Sequence, residues 1–441
     1  MSHSSTQSLW PAPLASAPLA ATITVPGSKS LTNRALPLAA LADEPTTVRG
    51  ALRSRDTDLM IAALRALGTG IESDGGTLHI TPRPVVGGTA VDCGLAGTVM
   101  RFLPPIAALA DAPVSFDGDP AARQRPMGPV VAALQQLGVR VRAGGPEQPV
   151  SETPGGLDHL PLTVHGSPDL AGGRVEVDAS GSSQFISALL LVAPRLREGL
   201  TVQHTGSVLP SRPHIEMTMA MLRDRGVRAT EQGPATWQVE PGPISGGEVF
   251  IEPDLSNAAP FLAAALAAGG TVRLPHWPEA STQPGMLLPE LLRAFGAEVD
   301  LENHTLRVTG PATPVPVDLD LSPAGELAPT MAALAALAPG TSRLRGIAHL
   351  RGHETNRLAA LVTEITNLGG SARELDDGLE IHGGGLHGAQ VQTYADHRMA
   401  TFAAVIGLAV PGVEIVDVET TAKTIPDFPG LWGHLIGESS R

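Results

Sequence analysis

Lys29, Ser30, Asn33 and Arg34 fall within one or two helical turns. A helix start carrying two cations and a hydroxyl can face one anionic group. The segment is not a P-loop, because Ser28 rather than Gly precedes Lys29 and the first Gly of GxxxxGK[ST] is missing. Taken alone, it reads as a capped helix with two exposed cations. Further cations recur in turns of small residues: Arg101, Arg125 in ARQRPMGP, Arg357 in GHETNR, Arg398 in DHR and Lys423 in TAKTIPDFPG. A lone Arg is more often a solvated charge or a structural ion pair. Several set among Gly, Pro, His and Ser in an acidic chain point instead to anion binding, and the planar Arg fork suits both phosphate and carboxylate. Glu326, at a helix start, and Glu354, next to His353, offer a base for a hydroxyl and a proton carrier for carbon. The plain alternatives are a helix-dipole charge for Glu326 and a salt bridge to Arg357 for Glu354. His397, between Asp396 and Arg398, is expected to be a buried histidine satisfied by its neighbours.

The elements that must position these residues repeat. A turn of small or polar residues runs into an Ala- and Leu-rich helix at Pro26, Cys93, Ser180, Pro253, Pro323 and Tyr394. The spacing is roughly 70 residues, larger than a solenoid turn and about the size of a small βα subdomain. A helix apolar on every side must be buried. Its start, rich in Ser, Gly, Asn, Asp and His, offers unpaired N–H groups that bind anions.

Between the repeats, Gly76–Thr81, Val175–Val177, Gly247–Ile251 and His304–Val308 alternate like strands. Second helices are predicted at Asp58–Leu67, Met127–Leu137, Glu216–Arg225, Met286–Phe295 and Glu354–Leu368. The unit is βαβαββ-like and the fold class α/β. The chain of 441 residues is long for one core, so the six units divide into three and three, with a boundary near Pro241–Gly247.

Aromatics make up only 3% of the chain, so the core is built from Ala, Leu and Val. With 30 Lys+Arg against 44 Asp+Glu, the net charge of -14 argues against general nucleic-acid binding. The single cysteine, Cys93, excludes an internal disulfide or a cysteine-rich zinc site and fits a reducing, cytoplasmic location. The first 28 residues lack Lys and Arg, so no secretory signal is expected. No apolar run is long enough to span a bilayer.

PGSKSLTNRALPLAALA, AGTVMR, RQRPMGP, SSQFISALLL, HETNRL, DHRMA and TAKTIPDFP, in this order from Pro26 to Phe428, resemble the 5-enolpyruvylshikimate-3-phosphate synthase family of enolpyruvyl transferases. The resemblance implies an inside-out α/β barrel in two domains, each with three βαβαββ units and buried helices. The domains would be residues 28–245 and residues 1–27 plus 246–441, with the active site in the cleft between them. The implied reaction moves the enolpyruvyl group of phosphoenolpyruvate to the 5-hydroxyl of shikimate 3-phosphate and releases phosphate. It needs no metal or cofactor, no nucleic acid and no membrane, and implies a cytoplasmic monomer.

By the same resemblance, Lys29, Ser30, Arg34, Ser182, Ser183, Gln184, Ser211, Glu326 and His353 would hold shikimate 3-phosphate. Lys29, Gly97, Arg125, Gln184, Arg357, Arg398 and Lys423 would hold phosphoenolpyruvate. Glu326 would take the hydroxyl proton, and Glu354 the methylene proton with Lys29 nearby. The chain departs from the family's usual pattern at Glu326 (usually Asp), His353 (usually Lys), Leu95 (often Asn), His214 (often Tyr) and Phe102 (often Pro). Two rival readings are a UDP-N-acetylglucosamine 1-carboxyvinyltransferase and a non-catalytic phosphometabolite-binding protein. The first typically carries a reactive Cys before its RP motif, whereas Asp117–Pro126 contains none.

Overall fold

The structure is a computed structural model that describes residues 8–144, 157–352 and 354–437. The chain forms two compact units, Gly27–Ile251 and Met1–Pro26 with Glu252–Arg441.

In the Gly27–Ile251 unit the Ala/Leu-rich helices Lys29–Ala40, Gly97–Ala107 and Gln184–Val192 lie inside, packed on one another. Every residue of Gly97–Ala107 is buried. Leu36, Leu38, Leu103, Leu189 and Leu190 have no exposed surface, and each such leucine contributes roughly 1.5–3 kcal/mol of burial. Three four-stranded sheets cover these helices, with one face of each strand turned inward, as Leu78 and Ile80 show in Thr77–Thr81.

Two of these sheets follow the βαβαββ order along the chain. Thr89–Asp92 runs parallel to Val114–Asp117, which pairs antiparallel with Leu162–His165 and, through it, Arg140–Ala143. Gly173–Val177, Leu200–His204, Thr236–Val239 and Ala229–Glu231 repeat the arrangement. The third is completed from far along the chain, because Gly247–Phe250 lies parallel to Thr46–Arg49. That pairing carries the unit to Ile251, so the division falls after the Gly247–Phe250 strand and not at 245.

The other unit has the same plan around Leu255–Ala268, Ala328–Leu337 and His397–Gly407. One sheet is contiguous from Asp318 to Gly383, and another takes its first strand, Leu19–Thr22, from before Pro26. The third departs from the expected four strands. Among the described residues, Gln390–Gln392 and Glu414–Val416 are joined only by Leu9–Pro11, antiparallel to the latter. After Glu414–Val416 the chain passes through the 3-10 turn Val418–Lys423 into the helix Phe428–Leu435, whose Phe428 and Trp432 pack with tilted rings against Phe261, instead of into a hairpin.

The second helices appear with shifted ends. Met286–Phe295 resolves into a 3-10 turn at Pro284–Leu287 followed by Leu288–Ala294. The helix expected from Glu354 begins at Arg357, because the Asn356 side chain accepts from Ala359 N and caps it there. Glu354 is thereby left in the preceding loop. Among the described residues, no helix is long and apolar enough to cross a membrane.

Candidate functional site

In the Gly27–Ile251 unit the three inner helices bring their first turns together through polar contacts. Asn33 Nδ2 donates to Thr98 Oγ1 at 2.9 Å, linking the first helix to the second. Arg101 NH1 donates to Ser182 Oγ at 3.2 Å and to Gln184 Oε1 at 2.9 Å, linking the second to the third. Arg101 also lies over the Phe185 ring, 4.9 Å from its centre, and burial together with nearby Arg125 pushes its guanidinium down to about 9. Ser28 caps the first helix by accepting from Leu31 N. Lys29 and Ser30 follow in its first turn, half-buried, with Lys29 Nζ 3.6 Å from Asp56 Oδ2.

Arg34 is almost fully buried, and its guanidinium is held on all three nitrogens. Nε donates to Thr218 Oγ1 at 2.8 Å, NH1 to the Ser30 carbonyl, and NH2 to the His214 carbonyl and Ser187 Oγ. Phe102 lies beneath it, 5.3 Å from ring centre to Cζ. Burial pushes this group down to about 9, still a cation at neutral pH. Arg34 therefore binds the first helix to the third and to the helix Arg212–Asp224. Ser183 and Ser211 each occupy an N-cap position, and Ser211 does so with left-handed backbone at φ 52°.

Gly97 opens the second helix against Arg125, whose NH1 donates to the Leu95 carbonyl at 3.1 Å. A Cβ on Gly97 would lie 2.8 Å from Arg125 NH2 and 3.0 Å from NH1. Gly97→Ala is therefore expected to push the guanidinium aside. If Arg125 grips substrate, KM for phosphoenolpyruvate should rise roughly tenfold or more with folding intact, since misplacing one positioning group by an ångström can cost this much. Initial rates against phosphoenolpyruvate concentration check it.

The other unit holds a denser cluster. Arg357, the first residue of its helix, faces Asp396 with Nε to Oδ2 at 2.6 Å and NH2 to Oδ1 at 3.2 Å, both side chains buried. Asp396 also caps its helix by accepting from Arg398 N. Arg398 NH1 donates to the Ser256 carbonyl in the first turn of Leu255–Ala268. Lys423 Nζ donates to Glu354 Oε1 at 2.5 Å, and Glu354 Oε2 sits 3.3 Å from His397 Nδ1. Glu326 stands half-buried in the 3-10 turn Gly325–Leu327 that leads into the helix Ala328–Leu337.

Burial raises the Glu354 carboxyl, but Lys423, His397 and Arg357 outweigh it and hold the group well below the usual carboxylate range. Burial holds His397 down to about 4 against the pull of Glu354. At neutral pH His397 is therefore uncharged, and Lys423 and Arg357 are the cations that keep Glu354 ionised. Burial also lowers Arg357, yet Asp396 more than restores it and keeps the guanidinium charged. A half-buried carboxylate beside an ammonium and a neutral imidazole has the equipment for proton transfer.

The structure thus gathers Lys29, Ser30, Arg34, Gly97, Arg125, Ser182, Ser183, Gln184 and Ser211 in one unit, and Glu326, Glu354, Arg357, Arg398 and Lys423 in the other. His353 lies outside the described residues. Sequence reasoning left Arg101 out of the ligand-binding set, although it organises Ser182 and Gln184. It also passed over Asp56, Asp396 and His349. Asp396 had a readable signal, an acidic residue in the cap position just before a helix. Glu354 is paired to Lys423 as well as lying near Arg357, so the simple three-residue salt bridge to Arg357 does not describe it.

The family model for EPSP synthase (3-phosphoshikimate 1-carboxyvinyltransferase) matches residues 14–432. A curated 3-phosphoshikimate 1-carboxyvinyltransferase of Kocuria rhizophila is 54% identical over 441 residues, covering 97% of this chain and 97% of the relative. Two solved structures of EPSP synthase from Acinetobacter baumannii each cover 98% of this chain and 98% of their own. Their TM-scores are 0.81 and 0.80, at 25% and 24% identity.

Proposed function

This chain belongs to the EPSP synthase (3-phosphoshikimate 1-carboxyvinyltransferase) family, and from that premise we propose how its residues carry the reaction. The enzyme transfers the enolpyruvyl group of phosphoenolpyruvate to the 5-hydroxyl of shikimate 3-phosphate and releases phosphate. The observation that carries this reading is near-complete coverage by a 54%-identical relative of that name. The buried acid–base cluster around Glu354 supplies what the chemistry needs.

Protonation of the methylene carbon makes C2 of phosphoenolpyruvate electrophilic, the hydroxyl adds, and the intermediate loses phosphate as the methyl group gives up a proton. Glu354 is the proton carrier at carbon, and Glu326 takes the hydroxyl proton. The cations around Glu354 keep it ionised. A substrate phosphate and carboxylate bound to Arg357, Arg398 and Lys423 offset those cations and raise the Glu354 pKa, so substrate binding itself readies the acid. Lys29, Ser30, Ser182, Ser183, Gln184 and Ser211 hold shikimate 3-phosphate. Arg34 assists chiefly by fixing the helix starts that present these groups. The remaining catalysis is positioning and electrostatic stabilisation.

The alternative sugar-nucleotide acceptor is disfavoured. Cys93 is fully buried, and burial with Asp92 and Asp117 pushes its thiol far up, leaving it a packing residue and not a nucleophile. A non-catalytic role is disfavoured by the presence of both carboxylates beside their charged partners. We assign the protein to the cytoplasm as a monomer without nucleic-acid or membrane partners, a reading supported by its acidic charge and its one buried cysteine.

The test is phosphate release from phosphoenolpyruvate with shikimate 3-phosphate and, separately, with UDP-N-acetylglucosamine. Turnover with the first alone is expected. Turnover with the second alone, or with neither, overturns the reading.

A further inference from the structure

His349 belongs to the 3-10 turn Ala348–Gly352, in the same unit as Glu326. Its imidazole fills the space beside Gly325. A Cβ at that glycine would lie 2.6 Å from Nε2 and 2.9 Å from Cε1, closer than packed atoms approach. The Gly325 backbone has no left-handed φ that would demand glycine. What the missing side chain provides is room for the His349 ring, directly against the turn that carries Glu326. Among the described residues, Glu326 from Gly325–Leu327 and Arg357 from the start of its helix act on the ring. Burial lowers the imidazole below its ordinary value, with Glu326 opposing and Arg357 adding to the shift, so the ring is neutral at neutral pH.

We propose that His349 is a positioning residue for Glu326, its ring seated in the space left by Gly325 so that the carboxylate is aimed at the substrate hydroxyl. The inference rests on the assignment of Glu326 as the base that accepts the hydroxyl proton. Glycine at 325 and histidine at 349 then form one device: the first makes room, and the second fixes the carboxylate's direction. A loosely held carboxylate still binds substrate but reaches the proton less often, so the loss falls on kcat more than on KM.

The experiment is a double-mutant cycle on the full chain with steady-state kinetics. His349→Ala is expected to lower kcat by about 10-fold or more with KM for both substrates little changed. Gly325→Ala, whose new methyl displaces the ring, should cause a similar loss. The double variant should be no worse than His349→Ala alone, because the methyl then meets no imidazole. His349→Gln, which restores a donor, should recover part of kcat and keeps the test usable if His349→Ala folds poorly.

A Gly325→Ala defect of equal size in both backgrounds overturns the proposal, as does wild-type kcat in His349→Ala. Glu326→Gln separates the two levels of inference. If it retains wild-type kcat, the base assignment fails and the positioning role falls with it. If it is defective and His349→Ala lowers its kcat further by the full factor, only the positioning role is overturned.

Discussion

Glu354→Gln should lower kcat by about 100-fold or more while leaving substrate KM values within a few fold, the signature of a lost general acid–base group. Glutamine preserves the length of the side chain and an acceptor for Lys423, which sits at 2.5 Å in the native protein, but it cannot carry the proton. A direct readout accompanies the rate. When the reaction runs in deuterium oxide, reversible protonation of the methylene carbon places deuterium in product and in recovered phosphoenolpyruvate, and the variant should lose this exchange in proportion to kcat. Equal losses in binding and turnover, with exchange per turnover unchanged, would return Glu354 to a purely structural role as the partner of Lys423 and Arg357.

Asp396→Ala should be the most destabilising single change among the charged residues of the site. Asp396 has no exposed surface, carries both hydrogen bonds from Arg357, and caps the helix that begins at His397. Removing it takes the bidentate carboxylate away from a buried guanidinium, and breaking a buried pair from one side costs about 3–5 kcal/mol, with about 1 kcal/mol more for the lost cap. Thermal or urea unfolding should show the drop, and Asp396→Asn, which keeps the cap but loses the charge, should show most of it. A Tm change within a degree or two would mean that Arg357 finds another partner when Asp396 is removed.

The pH dependence of this pair has a definite sign. Burial raises the Asp396 carboxyl, but Arg357 and His397 together bring it below its ordinary 3.8. Its stabilisation is therefore complete above that unfolded value and is lost only as pH falls through the lower, folded one. Arg357 is raised above its ordinary value, so its share is complete below that value and lost only in strong alkali. The pair contributes a constant stability from about pH 5 to pH 9, and acid unfolding that begins in the neutral range must come from other groups.

Much of the architecture was legible because it follows from local composition. A stretch such as LSNAAPFLAAALAA has no polar face to offer water, so its burial is settled by its own residues, and six such stretches imply six inner helices. Alternation marked strands such as Thr77–Thr81 for the same reason. The list of cations and of two carboxylates could also be written from the chain, since Arg, Lys and Glu in turns of small residues have few structural uses in such number.

What the chain did not disclose is which of these groups meet. The sequence placed Glu354 on a helix with Arg357, but the Asn356 cap starts that helix later and turns the carboxylate toward Lys423, 69 positions away. Arg34 could be named from the sequence as a candidate ligand of shikimate 3-phosphate, but that Thr218, Ser187 and the His214 carbonyl hold its guanidinium could not be read there. Asp396 signalled only a helix cap and His349 signalled nothing, and each became important once folding set it against Arg357 or Gly325. Helix and strand signals arise between residues a few positions apart and survive in a one-dimensional reading. Charge pairing, pKa and the room left by a missing Cβ are properties of distances between remote segments, which only the packed tertiary structure determines.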